Sequence, residues 1–211
     1  MTDETETYGG PFIVPESDEI DIGITTDKAA RALAEAGLDR AAASAFFRNQ
    51  MTAGRLHPYS RLRTDKRRPY LFRSDQVLNA AIFHRMTEAG LAGEAVFHTA
   101  GRALNSWNLV DDLGGNPEDI DAGILPEPPA PTPSAAIFRR HLVGLRGHQF
   151  EIATYRDSNF GTVAHSARLR HAPTNAGTTF HFWGPDFVLR SVFALELDPI
   201  LAHIVREKAV N

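Results

Sequence analysis

The sequence predicts an α+β protein in two units, and three observations carry that expectation. Helical periodicity fills most of residues 25–107, an acidic and proline-rich stretch interrupts the chain at 111–134, and strand-like runs separated by turn residues follow it. With 211 residues, one domain or two small ones could each bury an ordinary core, and the proline-rich break favours two. The expected division is an acidic flexible arm over 1–24, a helical unit with a basic ribbon over 25–110, a linker over 111–134, and a second α+β unit over 135–211.

Composition narrows the function classes. The chain has no cysteine, which excludes disulfides and thiolate metal sites. It contains no run of about 18 apolar residues that could span a membrane. Its first ten residues, MTDETETYGG, are acidic where a secretory signal is basic and then apolar, so a cytoplasmic protein is expected. Residues 1–24 carry seven acids and no Lys or Arg, with Gly9, Gly10, Pro11 and Pro15 breaking any periodicity.

Thr26 is the expected N-cap of a first helix whose alanine-rich run, Ala29 to Ala36, stops at Gly37. Asp39 caps a second helix that ends near Ala53 and Gly54. Arg40, Ser44 and Arg48 recur along it at four-residue spacing, as a polar stripe would. Two helices joined by a glycine turn form a helix-turn-helix pattern. A ribbon follows, with Leu56 to Arg61 as one arm, Tyr70 to Arg73 as the other, and Arg63, Lys66, Arg67 and Arg68 at its tip. Four cations so close together repel one another and are too costly to desolvate for a core, so they face water or a polyanion. From Arg48 to Arg85 nine Arg or Lys stand against two acids, a local charge of +7 in a chain of −4, which leaves −11 for the rest. A basic segment in an acidic protein is the footprint of nucleic-acid binding. The expected DNA-binding residues are Arg40, Ser44, Arg48, Arg55, His57, Tyr59, Arg61, Arg63, Lys66, Arg67 and Arg68, in a winged helix-turn-helix.

Ser74 is the expected cap of a third helix with Val77, Leu78, Ala81, Ile82 and Met86 on one face. A fourth runs from about Gly93 to Trp107, with Val96, Phe97, Ala100, Ala103, Leu104 and Trp107 as its apolar stripe. This order resembles the winged-helix DNA-binding domain of the MerR superfamily over about residues 25–107. The resemblance is carried by Phe46-Phe47 ahead of Gly54 and Leu56, by Tyr70-Leu71-Phe72-Arg73-Ser74-Asp75 leading from ribbon to helix, and by the Glu88-Ala89-Gly90-Leu91 turn. Ala45 departs from the arginine usual before the aromatic pair, the stretch from Phe47 to Gly54 is longer than usual, and no heptad run follows Trp107.

Five prolines fall between Pro126 and Pro133, as in a semi-rigid spacer. Beyond them, Ala135 to Leu145 reads as a helix, followed by strand-like runs at 149–155, 161–171, 178–183 and 187–197. Short turns between them imply a four-stranded antiparallel meander flanked by helices, the last opening at Pro199. His165, His171 and His181 are a candidate metal trio and Glu196 with Asp198 a candidate carboxylate pair; neither has a diagnostic spacing. No phosphate loop or serine elbow is present. The expectation is a nucleoid-associated transcription regulator without enzyme activity, metal or cofactor. Its expected partners are double-stranded DNA, a second copy joined through the edge strands of the meander or the last helix with Ile200, Leu201, Ile204 and Val205, and RNA polymerase. An architectural or phage-type DNA-binding protein, excisionase-like or for packaging, is the alternative.

Overall fold

The computed structural model describes residues 23–58, 60–61, 70–106, 130–171 and 185–209. Most of the acidic arm, the ribbon tip, most of the linker and the predicted strand 178–183 lie outside the described residues. The described chain is α+β. Its helices are α1 (Thr26–Glu35), α2 (Arg40–Thr52), α3 (Ser74–Glu88), α4 (Glu94–Asn105), α5 (Pro133–Leu142) and α6 (Asp198–Ala209). One small antiparallel sheet has the order β1 (Ile24–Thr25), β3 (Tyr70–Phe72), β2 (Ser60–Arg61). The other has the order β5 (Val163–His171), β4 (His148–Asp157), β6 (Phe187–Glu196).

Local chemistry sets the helix ends. The Thr25 hydroxyl accepts from the Lys28 amide, so the cap of α1 lies one residue before the expected Thr26. Gly37 follows α1 at φ +100°. The Leu38 amide donates to the Leu33 carbonyl and the Gly37 amide to that of Ala34, a closure that requires a left-handed residue. Arg85 of α3 donates to the Ala36 carbonyl in the same turn. A Cβ on Gly37 would stand 3.0 Å from that guanidinium, so a side chain there would be strained in its backbone and would crowd Arg85. The Asp39 carboxylate then caps α2 as expected, accepting from the Ala42 amide at 2.8 Å.

Ile24, placed in the acidic arm by composition, is buried and pairs with Phe72. A strand of two residues is too short for periodicity to reveal. The meander expected after the linker is corrected: β6 pairs with β4, not with a neighbour beyond β5, so β4 is central and paired on both sides. The connection from 172 to 186 is long enough to return the chain across the sheet, whereas a meander needs only tight turns. Three strands are described where four were expected. Phe150, Ile152, Ala167 and Leu169 are buried on one face of this sheet. On the other, buried Glu151 pairs with Arg168 at 2.8 Å and Arg170 at 3.1 Å.

Helix α3 is the centre of the molecule. Every residue from Ser74 to Phe83 is buried, although the sequence suggested a single apolar face. Its polar residues are fastened to distant segments. Asp75 accepts from the Thr132 hydroxyl at 2.9 Å and pairs with Arg73 at 3.3 Å, Gln76 accepts from the His57 amide at 3.1 Å, and Asn79 donates to Asn105 at 3.1 Å. Thr132 also caps α5, and the Ser134 hydroxyl donates to the Leu104 carbonyl, tying α5 to the end of α4. Helix α3 meets α1 and α2 as well as α5 and α6, while α6 lies along α1 and α4 along β5. One apolar cluster therefore runs from Ile24 through Phe47, Phe72, Phe83 and Phe97 to Phe150, Leu169 and Ile204. Ile200, Leu201 and Ile204, expected at a contact between copies, are buried in this cluster.

Phe83 is 1% exposed and meets Phe97 edge to face at 5.5 Å. Phe83→Ala should cost about 3–5 kcal/mol through lost burial and a residual cavity. Urea unfolding followed by far-UV circular dichroism checks this. Because α3 adjoins elements on both sides of the proline-rich stretch, the loss should appear in one shared transition.

Candidate nucleic-acid interface

The outward surface of α2 follows from its core anchors. Ala43, Phe47 and Gln50 are buried, and Phe47 packs edge to face on Phe72 at 5.3 Å. With that side fixed, Ala41, Ala42, Ala45, Arg48, Asn49 and Thr52 are left exposed. Four-residue spacing had joined Arg40, Ser44 and Arg48 in one stripe, but the structure separates them. Ser44 is half-buried, and Arg40 ion-pairs with Asp27 at the start of α1 at 3.2 Å. Arg48 is exposed, with no partner for its guanidinium among the described residues. Asn49 and Thr52 share its face and were missed. The helical period counted from Phe47 identifies them.

Small residues surround Arg48 on this surface, so a partner can approach the helix backbone closely while one long cation and one amide project. An arginine matches the two acceptors on a guanine edge, and an asparagine the donor and acceptor on adenine.

Arg55, expected to contact DNA, is held by the protein. It forms an ion pair with Glu94, donates to Gln50 Oε1 at 3.2 Å, and lies 4.2 Å from the centre of the Phe97 ring. Its role here is to join the end of α2 to α4. His57 is exposed beside it, and a cleft of about 360 Å³ opens between the end of α2 and α4, lined in part by Arg55, His57, Glu94, His98 and Arg102. Arg73 and Arg85 are also engaged, with Asp75 and with Glu88 and the Ala36 carbonyl. Three of the nine cations counted between Arg48 and Arg85 thus serve the fold. Arg61 lies on β2, paired in register with Tyr70. Tyr59, Arg63, Lys66, Arg67 and Arg68 lie outside the described residues. The register Ser60↔Leu71 and Arg61↔Tyr70 makes 62–69 the connection of an antiparallel pair, with β1 closing the sheet on its other side.

The histidines weighed as a metal trio are not brought together. His165 meets Thr154 at 3.2 Å, whereas His171 lies at the far end of the same strand, opposite His148; His181 is outside the described residues. Glu196 and Asp198 form no pair either, since Glu196 is exposed and Asp198 turns toward histidines. His141 at the end of α5, His148 at the start of β4 and Asp198 at the start of α6 converge instead. Asp198 Oδ1 stands 3.1 Å from His148 Nδ1 and 3.5 Å from His141 Nδ1, and Oδ2 accepts from the Gly147 amide. Burial pushes both imidazoles below their ordinary value, and it also lowers His84 and His165. Burial acts to raise the Asp198 carboxyl, but the Gly147 amide and the two imidazoles outweigh it and hold that group below the usual carboxylate range.

Comparisons with protein-family models, curated proteins and solved structures find no match to this chain.

These histidines set a pH dependence. A histidine whose folded value is depressed takes up its proton more readily in the unfolded chain. Its contribution to stability is present above about pH 6.5 and is lost as pH falls from there toward the folded values. With four such histidines, the melting temperature in chelator should drop steadily from pH 7.5 to 5.5. Calorimetry on wild type and on His165→Gln checks this, and the variant should show a shallower drop.

Proposed function

We propose that this protein is a DNA-binding transcription regulator that reads duplex DNA with α2 in the major groove and the β2–β3 ribbon against the backbone. The observation that carries the reading is the placement of the ribbon. Directly after the two helices joined at Gly37, β2 and β3 pair so that 62–69 connects them, and that sequence holds Arg63, Lys66, Arg67 and Arg68. A helix with a small-residue face beside a cationic ribbon suits a groove flanked by phosphates.

The two elements divide the work. Base reading falls to Arg48 and Asn49, the exposed groups able to span two hydrogen-bonding positions on a base edge. Phosphate neutralisation falls to the ribbon cations, which act on any sequence. Arg40 is a lesser contributor, because its salt bridge to Asp27 must be exchanged for a phosphate contact. Two copies on two half-sites would raise affinity and selectivity, as helix-turn-helix proteins commonly do.

Gel shifts and salt titrations on full-length protein test the reading. Replacing Arg67 and Arg68 together with Ala should weaken binding to all sequences and reduce the salt slope by about two. Arg48→Ala and Asn49→Ala should each cost about 1–3 kcal/mol of discrimination between a preferred and a scrambled site. Arg40→Ala should change little. Absence of binding at low salt would defeat the proposal. A genome-wide map showing sites clustered at one recombination or packaging locus, instead of at promoters, would assign the architectural role.

A further inference from the structure

His141, His148 and Asp198 reach one point from three separate elements, and the reading of α2 and the ribbon makes no use of them. His148 is fully buried and His141 is 5% exposed. His141 Nδ1, which faces the Asp198 carboxylate, is buried with no hydrogen-bond partner among the described residues. A buried imidazole nitrogen without a partner is costly to leave unmet. Three ligand atoms within 4.8 Å of one another offer a way to meet it.

We propose that His141, His148 and Asp198 bind one divalent ion of the zinc class, with a water in the fourth position. Ligand atoms about 2.0–2.2 Å from a tetrahedral ion stand about 3.3–3.6 Å from one another. Of the separations from Asp198 Oδ1, the 3.5 Å to His141 lies within that range and the 3.1 Å to His148 a little below it, and all three ligand atoms stand within 4.8 Å of one another. Both imidazoles present Nδ1 to the carboxylate oxygen. The Gly147 amide holds the other oxygen, Oδ2, which fixes the carboxylate as outer-shell partners of metal ligands do. Two imidazoles and a carboxylate, in a chain without thiols, favour Zn²⁺, Co²⁺ or Ni²⁺ over Ca²⁺ or Mg²⁺.

His171, 5.4 Å from the His148 ring, and Arg140 act on His148, and Arg146 acts on His141; all oppose a further positive charge. Arg146 is turned away, donating to the His141 and Leu145 carbonyls at 2.7 and 2.8 Å. The Asp198 carboxylate supplies a negative charge to offset the ion. The bound ion would join α5, β4 and α6 at one point.

The test uses untagged full-length protein stripped with chelator and titrated with Co²⁺ and then Zn²⁺. One Co²⁺ per chain should bind with the intense visible bands of a tetrahedral site, and Zn²⁺ should displace it. His148→Gln and Asp198→Asn should each weaken binding by about 100-fold or more, since even outer-shell changes cost 10–100-fold. His165→Ala, on the same sheet, should bind as wild type does. Because the ligand variants are in a packed region, X-ray absorption on the Zn²⁺-loaded wild type gives a second measure, with two imidazole nitrogens and light oxygen ligands expected. Failure to bind one ion per chain, full retention of binding in both folded variants, or an all-oxygen shell would each overturn the proposal. DNA binding is not a readout in any arm, so this proposal and the regulatory one fail separately.

Discussion

The burial of α3 on all sides is the constraint on which the rest of the structure depends. A helix that keeps Ser74, Asp75, Gln76 and Asn79 out of water must give each a partner, since an unmet buried polar group costs about 1–3 kcal/mol. The partners come from well-separated places: Thr132 ahead of α5, the His57 amide ahead of β2, and Asn105 at the end of α4. Each bond both satisfies α3 and sets the position of another element. The Thr132 hydroxyl shows this most directly, because the oxygen that caps α5 also donates its proton to Asp75.

The same helix links the two ends of the molecule. Arg85 on its last turn closes the α1–α2 corner, and its apolar residues meet α6. The α2 surface proposed to read DNA and the histidine cluster proposed to hold an ion are therefore built on one packed body. Since close-packed interiors transmit strain, an ion that tightens α5, β4 and α6 adjoins the scaffold that orients α2.

Much of the helical architecture was legible, for reasons the structure makes plain. Asp39, Gly37, Gly54 and Gly90 act locally, through bonds to residues three to five positions away, so their meaning survives without tertiary context. The apolar stripe of α4 was legible too: Val96, Phe97, Ala100, Ala103 and Leu104 are buried, while Trp107, also expected on it, lies outside the described residues. What escaped depended on long-range partners. Asp75, Gln76 and Asn79 resemble a solvent face until residues 132, 57 and 105 are brought beside them. The β6–β4 pairing was hidden because strand order lies in the connection and not in the strands. Asp198 was set beside Glu196 because the two are neighbours in sequence, whereas its real neighbours lie about 50 residues back in the chain. On α2 the recurrence of Arg40, Ser44 and Arg48 suggested one face. The anchor at Phe47 rotates the exposed surface toward Asn49 and Thr52 instead.

The packing of α1 against α6 bears on how the protein is made. Glu35 near the end of α1 meets His203 and Arg206 of α6 at 3.4 and 3.7 Å, so the first described helix is completed by the last. A chain emerging from the ribosome forms α1, α2 and the ribbon long before residues 198–209 are available to cover them. Until then the faces of α1 and α3 that meet α6 have no cover. Nascent chains, and products truncated before α6, would present this apolar surface to chaperones and proteases, and the helices proposed to read DNA would acquire their final support only once residues 198–209 have been made.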